Sequence, residues 1–102
     1  MSYRLTRHAE LDIYAIVDYI MADNPTAALA AEQEIERVCA LIGDTPHIGQ
    51  HVPFIEEAEY FFVPAGKYNN YLIFYTLDGS DAVIRRVLHS RRDIETLFDP
   101  TK

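Results

Sequence analysis

Seven consecutive residues, Tyr71-Leu72-Ile73-Phe74-Tyr75-Thr76-Leu77, carry apolar side chains on both alternating faces. A short run of that kind belongs in the middle of a sheet, covered on both sides. Asp78-Gly79 follows it, a strong signal for a hairpin turn. The next segment, Asp81 to His89, is rich in β-branched residues and reads as a second strand. Upstream, Glu59 to Pro64 reads as a third, bounded by Pro64-Ala65-Gly66. Three strands in series with short connections imply an antiparallel meander.

The front half of the chain has a different period. Ser2 to Thr6 reads as a short strand, with Tyr3 and Leu5 on one face. From Arg7 to about Asp23, Ala9, Ile13, Ile16, Val17 and Ile20 make one helical stripe, with Thr6 as N-cap. Asp23-Asn24-Pro25 breaks it. Pro25 cannot continue a helix but suits the first turn of the next, with Asn24 as cap. Ala28, Ala31, Ile35, Val38 and Ile42 stripe that second helix, and Gly43 is its expected stop. So short a junction implies an antiparallel helical hairpin. Asp44 to Pro53, with two prolines and a glycine, is expected to be loop without regular structure. Ser90 to Phe98 reads as a short helical tail that packs back through Ile94, Leu97 and Phe98.

The expectation is an α+β fold: N-terminal strand, antiparallel helical hairpin, three-stranded antiparallel meander and short C-terminal helical tail. At 102 residues the chain fits one domain, residues 1–102. With helices on one face only, the other sheet face has apolar residues to spare, which signals an interaction surface.

No apolar run nears the ~20 residues that span a bilayer, and no apolar stretch of signal-peptide length follows the N-terminus. A lone cysteine, Cys39, cannot form an internal disulfide, and its apolar-periodic context reads as a buried helix position. A cytoplasmic protein is expected. The net charge of −7 argues against a phosphate-backbone binder, and no direct reading of nucleic-acid sequence is expected. His8, His47, His51 and His89 are scattered without metal-ligand spacing, so no metal is expected. Gly43, Gly49, Gly66 and Gly79 are isolated at turns, unlike a phosphate-cradling loop, and no cofactor is expected. Ser90 beside His89 is no nucleophile and base, because strand neighbours point to opposite faces.

One cluster stands apart: Arg85, Arg86, His89, Arg91 and Arg92, with no acid among residues 85–92. Alternation puts Arg85 and His89 on one strand face and Arg86 on the other, with Arg91 and Arg92 beyond the strand end. This is either a solvated strand edge paired with Asp93 and Glu95, or a patch that binds an anion or a partner.

The order of elements resembles the RelE/ParE superfamily of bacterial toxins, from Tyr3 to Phe98. Four stretches carry the resemblance: Leu5-Thr6-Arg7-His8-Ala9-Glu10-Leu11-Asp12-Ile13, the junction Tyr19 to Ala28, the loop Pro46-His47-Ile48-Gly49, and Arg86 to Asp93 after Tyr71 to Tyr75. The last two are similar to the ParE-type signature. Where the family often places an arginine after the loop, this chain has Glu59-Tyr60-Phe61-Phe62. The resemblance implies the toxin of a type II toxin–antitoxin pair. Such a toxin inhibits DNA gyrase without catalysis of its own and is neutralised by a ParD-like antitoxin. It implies target contacts from Arg85, Arg86, His89, Arg91 and Arg92. The expected antitoxin seat is the apolar set Ile13, Ile16, Val17, Ile20, Tyr71, Ile73 and Tyr75, through helix and strand-addition contacts. The RelE branch implies instead a ribosome-dependent messenger-RNA endoribonuclease, using Arg85, Arg86, His89 and Arg91 with Tyr71 or Tyr75 as acid. A relative that only binds antitoxin is a further alternative.

Overall fold

The computed structural model describes residues 2–53, 55 and 58–90, apart from the side chain of residue 69. A strand, β1 (Tyr3–Leu5), leads into helices α1 (Arg7–Met21) and α2 (Pro25–Asp44). A 3-10 turn (Pro46–Ile48) follows, then β2 (Gln50–Val52), β3 (Tyr60–Ala65), β4 (Tyr68–Asp78) and β5 (Asp81–His89). The expected tail helix lies outside the described residues.

Both helices start as their caps dictate. The Ala9 N–H donates to Thr6 Oγ1 and the Ala27 N–H to Asn24 Oδ1, each at 3.1 Å. Pro25 occupies the first turn of α2, where its missing N–H costs nothing. The second helix does not stop at Gly43. It runs through Asp44, with Thr45 as its C-cap. Gly43 is needed for proximity instead: a Cβ there would sit 3.0 Å from the Ser2 carbonyl carbon. The glycine lets α2 lie directly on the backbone leading into β1.

The sheet has five strands in the order β1-β5-β4-β3-β2. The meander β3-β4-β5 is antiparallel as expected, and β1 joins it parallel to β5, Tyr3 beside Ala82 and Leu5 beside Ile84. Gly79 and Ser80 form the two-residue loop between β4 and β5, Gly79 at φ +64°. Between β3 and β4, Gly66 turns at φ +60°, so β4 begins at Tyr68, earlier than its apolar run suggests.

The loop expectation fails at its end. Gln50–Val52 pairs with Tyr60–Phe62 as edge strand β2. Each Pro and Gly has a local use. Pro46 opens the 3-10 turn and Pro53 follows the last paired residue, where no ladder donor is needed. Three residues are too few to show a period in the sequence.

As its composition requires, β4 is covered on both faces. Toward the helices, Ile73 and Tyr75 pack with Ile13, Ile16, Ile35, Val38, Ile42, Ile84 and Val87. On the other face Phe74 packs with Val52 and Leu88, flanked by Ile55, Tyr60, Phe62 and Leu72. Cys39 lies in the first cluster, and burial, helped by Glu36, pushes its thiol up to about 12.

Two polar ties hold the periphery. The fully buried Tyr75 donates its hydroxyl proton to the Pro46 carbonyl at 2.7 Å and accepts the Gly49 N–H at 3.0 Å. It thereby fixes the Pro46-His47-Ile48-Gly49 turn to the sheet. A Cβ on Gly49 would collide with the Tyr75 hydroxyl, so this glycine exists to admit the phenol. On the far side, Glu34 accepts a fork from Arg37 at 2.9 and 3.0 Å and the Lys67 N–H at 3.2 Å. That pins the β3–β4 turn to α2. The Arg37 hydrogen bonds first, then that of Lys67, hold the Glu34 carboxyl at about 2.

Gly49→Ala should destabilise the fold by about 1–3 kcal/mol through overpacking, and Tyr75→Phe by about 1–3 kcal/mol through two unmade bonds. The double variant should cost less than the sum, because the nearest of the clashing atoms is gone while the ring carbon and Phe61 remain; chemical denaturation of all three measures this. A Glu34 carboxyl held low stabilises the fold at pH values above the ordinary carboxylate pKa of 4.5 and loses that contribution as pH falls toward 2. Glu34→Gln should therefore flatten the acid limb of a stability–pH curve.

Candidate functional site

The basic cluster was expected at the end of β5, and a bulge decides how that end is built. Phe74 pairs with Arg86 but Tyr75 with Ile84, which leaves Arg85 as an extra residue. The alternation flips across it. Ala82 and Ile84 face the helices before the bulge, and Val87 does after it. Arg85 and His89 therefore do not share a face, contrary to simple alternation.

Arg85 is exposed and donates through Nε to Thr76 Oγ1 at 3.0 Å. His89 sits opposite Tyr71, their rings edge to face at 5.3 Å. Arg86 is committed inside the molecule. Its Nε and Nη2 donate to the two carboxylate oxygens of Asp12 at 2.7 and 3.0 Å. The same carboxylate accepts the Val87 N–H at 2.9 Å. The pair is three-quarters or more shielded from solvent on both sides. Arg91 and Arg92 lie outside the described residues. The five residues thus do not form one patch within the described part: Arg85 points outward, Arg86 is tied to α1, and His89 lies against Tyr71.

The need for Asp12 follows from strand lengths. The short β1 ends opposite Ile84, so β5 runs on with a bare edge. Thr6 covers the first gap, its N–H donating to Ile84 O and its hydroxyl to Arg85 O, each at 3.0 Å. Asp12 covers the next. A bare strand edge inside a fold needs such partners. Sequence reasoning missed Asp12, although a signal existed. It sits three residues after Ala9 and four before Ile16, on the buried stripe of α1, where a carboxylate demands a partner.

The seven residues expected to seat an antitoxin are core. Ile13, Ile16, Tyr71, Ile73 and Tyr75 are buried, and Val17 and Ile20 pack against them. The helix-facing side of the sheet and the inner stripe of α1 are spent on the contact between them, and the apolar residues of the opposite sheet face gather around Phe74, Val52 and Leu88. Ile20 also borders an open hollow at the helix junction, with Tyr19, Ala22, Asp23, Asn24 and Ala27. Among the described residues no group of three or more His, Cys, Asp or Glu could hold a metal. No described helix is long and apolar enough to cross a membrane.

Comparison with known proteins places this architecture. The family model described as ParE toxin of type II toxin-antitoxin system, parDE, matches residues 3–94. The solved chromosomal ParDE TA system from P. aeruginosa contains a chain of the same fold, with TM-score 0.73 and 22% identity. The match covers 87% of this chain and 95% of that one. No curated protein matches.

Asp12→Ala should cost about 2–3 kcal/mol, since it leaves a shielded guanidinium and a backbone donor without their acceptor. Arg86→Met should cost less, because the carboxylate keeps the Val87 N–H. A double-mutant cycle by denaturant unfolding should return a coupling of about 1–3 kcal/mol.

Proposed function

Because the chain belongs to the ParE toxin family of type II toxin–antitoxin systems, we propose that it arrests growth by binding DNA gyrase, without catalysis, and that a ParD-like antitoxin neutralises it. The whole chain, residues 1–102, then works as one cytoplasmic toxin domain. One observation carries the non-catalytic reading. Both candidate acids and one of the arginines that RNA cleavage would use are engaged elsewhere. The Tyr75 hydroxyl is fully buried and donates to Pro46, and burial pushes its pKa up, away from an acid useful at neutral pH. Tyr71 is nearly as enclosed. The Arg86 guanidinium is forked onto Asp12 instead of a phosphate.

Target contact falls to the outward Arg85, to His89 near the end of the same strand, and to Arg91 and Arg92, which follow it in the sequence. Arg86 serves by holding the strand that carries them. The antitoxin reaches the molecule at the hollow beside Ile20, where Tyr19 is 67% exposed. Ile13, Ile16, Val17, Tyr71, Ile73 and Tyr75 belong instead to the core that holds α1 and the sheet together.

Purified chain added to gyrase and relaxed plasmid should accumulate cleaved plasmid, and the ParD-like antitoxin should suppress it. Arg85→Glu combined with Arg91→Glu and Arg92→Glu should lower that activity at least tenfold while antitoxin binding persists. Cleavage of ribosome-bound messenger RNA with gyrase unaffected would replace this reading by the ribonuclease. Antitoxin binding with neither activity would mark an inactive relative.

A further inference from the structure

Large apolar side chains stay exposed on the outer side of α1. Leu11 is 46% and Tyr14 59% exposed. With Arg7 and Asp18, both exposed, they fall at steps of four, three and four, within about 60° of one another on the helix. The outer ridge of α1 therefore reads Arg, Leu, Tyr, Asp. Ala15 and Ala22, also exposed, lie beside it and leave room for a second helix to approach closely.

This order is complementary to its own reverse. A two-fold axis between Leu11 and Tyr14 sets Arg7 of one copy against Asp18 of the other, and Leu11 against Tyr14. The ion pair and the apolar contact then each form twice, as an isologous interface requires. The parallel arrangement would stack Arg7 on Arg7 and Asp18 on Asp18. Arg7 has only a long contact to Glu10 within its own helix, at 3.8 Å and 75% exposed, so it can turn to a new partner.

We infer that the outer ridge of α1 is a docking surface for a second copy of this chain, forming an antiparallel, two-fold helix pair. One ridge per copy buries less than a standard interface. Each copy also carries a charge of −7, which opposes association. The dimer is therefore weak and concentration-dependent, and it hides the apolar ridge when no other partner is bound.

Sedimentation velocity of the full chain, made by cell-free synthesis, tests this from low to several hundred micromolar. The wild-type chain should dimerise with rising concentration, and Leu11→Glu should remove the dimer. Arg7→Asp alone and Asp18→Arg alone should each weaken it roughly fivefold or more, since each alters two symmetric ion pairs. The double variant Arg7→Asp with Asp18→Arg should restore it, because the complementarity is inverted but intact. All three substituted positions are exposed, so circular dichroism should show unchanged folds. A chain monomeric at every concentration, or a dimer indifferent to the swap, overturns the proposal. So does a monomer in which Leu11→Glu weakens antitoxin binding, an outcome that gives the ridge to the antitoxin.

Discussion

The architecture depends on β4 being enclosed on every side. It is paired along both edges and covered on both faces. Everything else is arranged to complete that enclosure. The helical hairpin supplies one cover, β2 and Ile55 contribute to the other, and β3 and β5 supply the ladders. Enclosure also explains why the polar groups of β4 find protein partners. Tyr75 holds the Pro46–Gly49 turn, and the buried Thr76 receives Arg85. In a low-dielectric interior each of these bonds is strong when made and costly when lost.

A second constraint arises at β5. With only three residues, β1 is too short to cover its neighbour, and the bulge at Arg85 bends that neighbour where the cover ends. Thr6 and Asp12 then finish a ladder with side chains from the very helix that follows β1. The sheet is thus coupled to α1 by hydrogen bonds as well as apolar contact. The coupling falls at the strand end that leads to Arg91 and Arg92. The two neighbouring arginines are used differently there: Arg86 ties the strand to the helix, and Arg85 faces outward beside Thr76.

Much of the fold was legible because its signals are strong. The stripes of α1 and α2, the caps Thr6 and Asn24, the break at Pro25 and the double-faced run of β4 all follow from local chemistry. The parallel seat of β1 and the strand β2 were not legible. Each is three residues long, and its place is set by partners remote in sequence. Gly43 and Gly49 look like ordinary turn glycines, yet each is required by close approach to another part of the molecule. The basic cluster was visible as composition but not as geometry. One bulged residue reversed the alternation on which its reading depended, and Asp12 claimed Arg86. The apolar residues expected at a surface were core, because periodicity marks a face as apolar without saying what covers it.

The parallel pairing of β1 with β5 has a consequence for synthesis. Tyr3 lies beside Ala82, and Ser2 donates to Asp81 across 79 positions of chain. β1 is therefore made well before β5 and waits for it before it can be seated. Such long-range closure is slow relative to local helix formation. Until β5 emerges, α1 and α2 have no finished sheet to pack on, and Asp12 has no guanidinium to hold. A chain that stops short of β5 would thus lack its central strand's second ladder, so the helices, β1 and the meander reach their finished arrangement together, once β5 is in place.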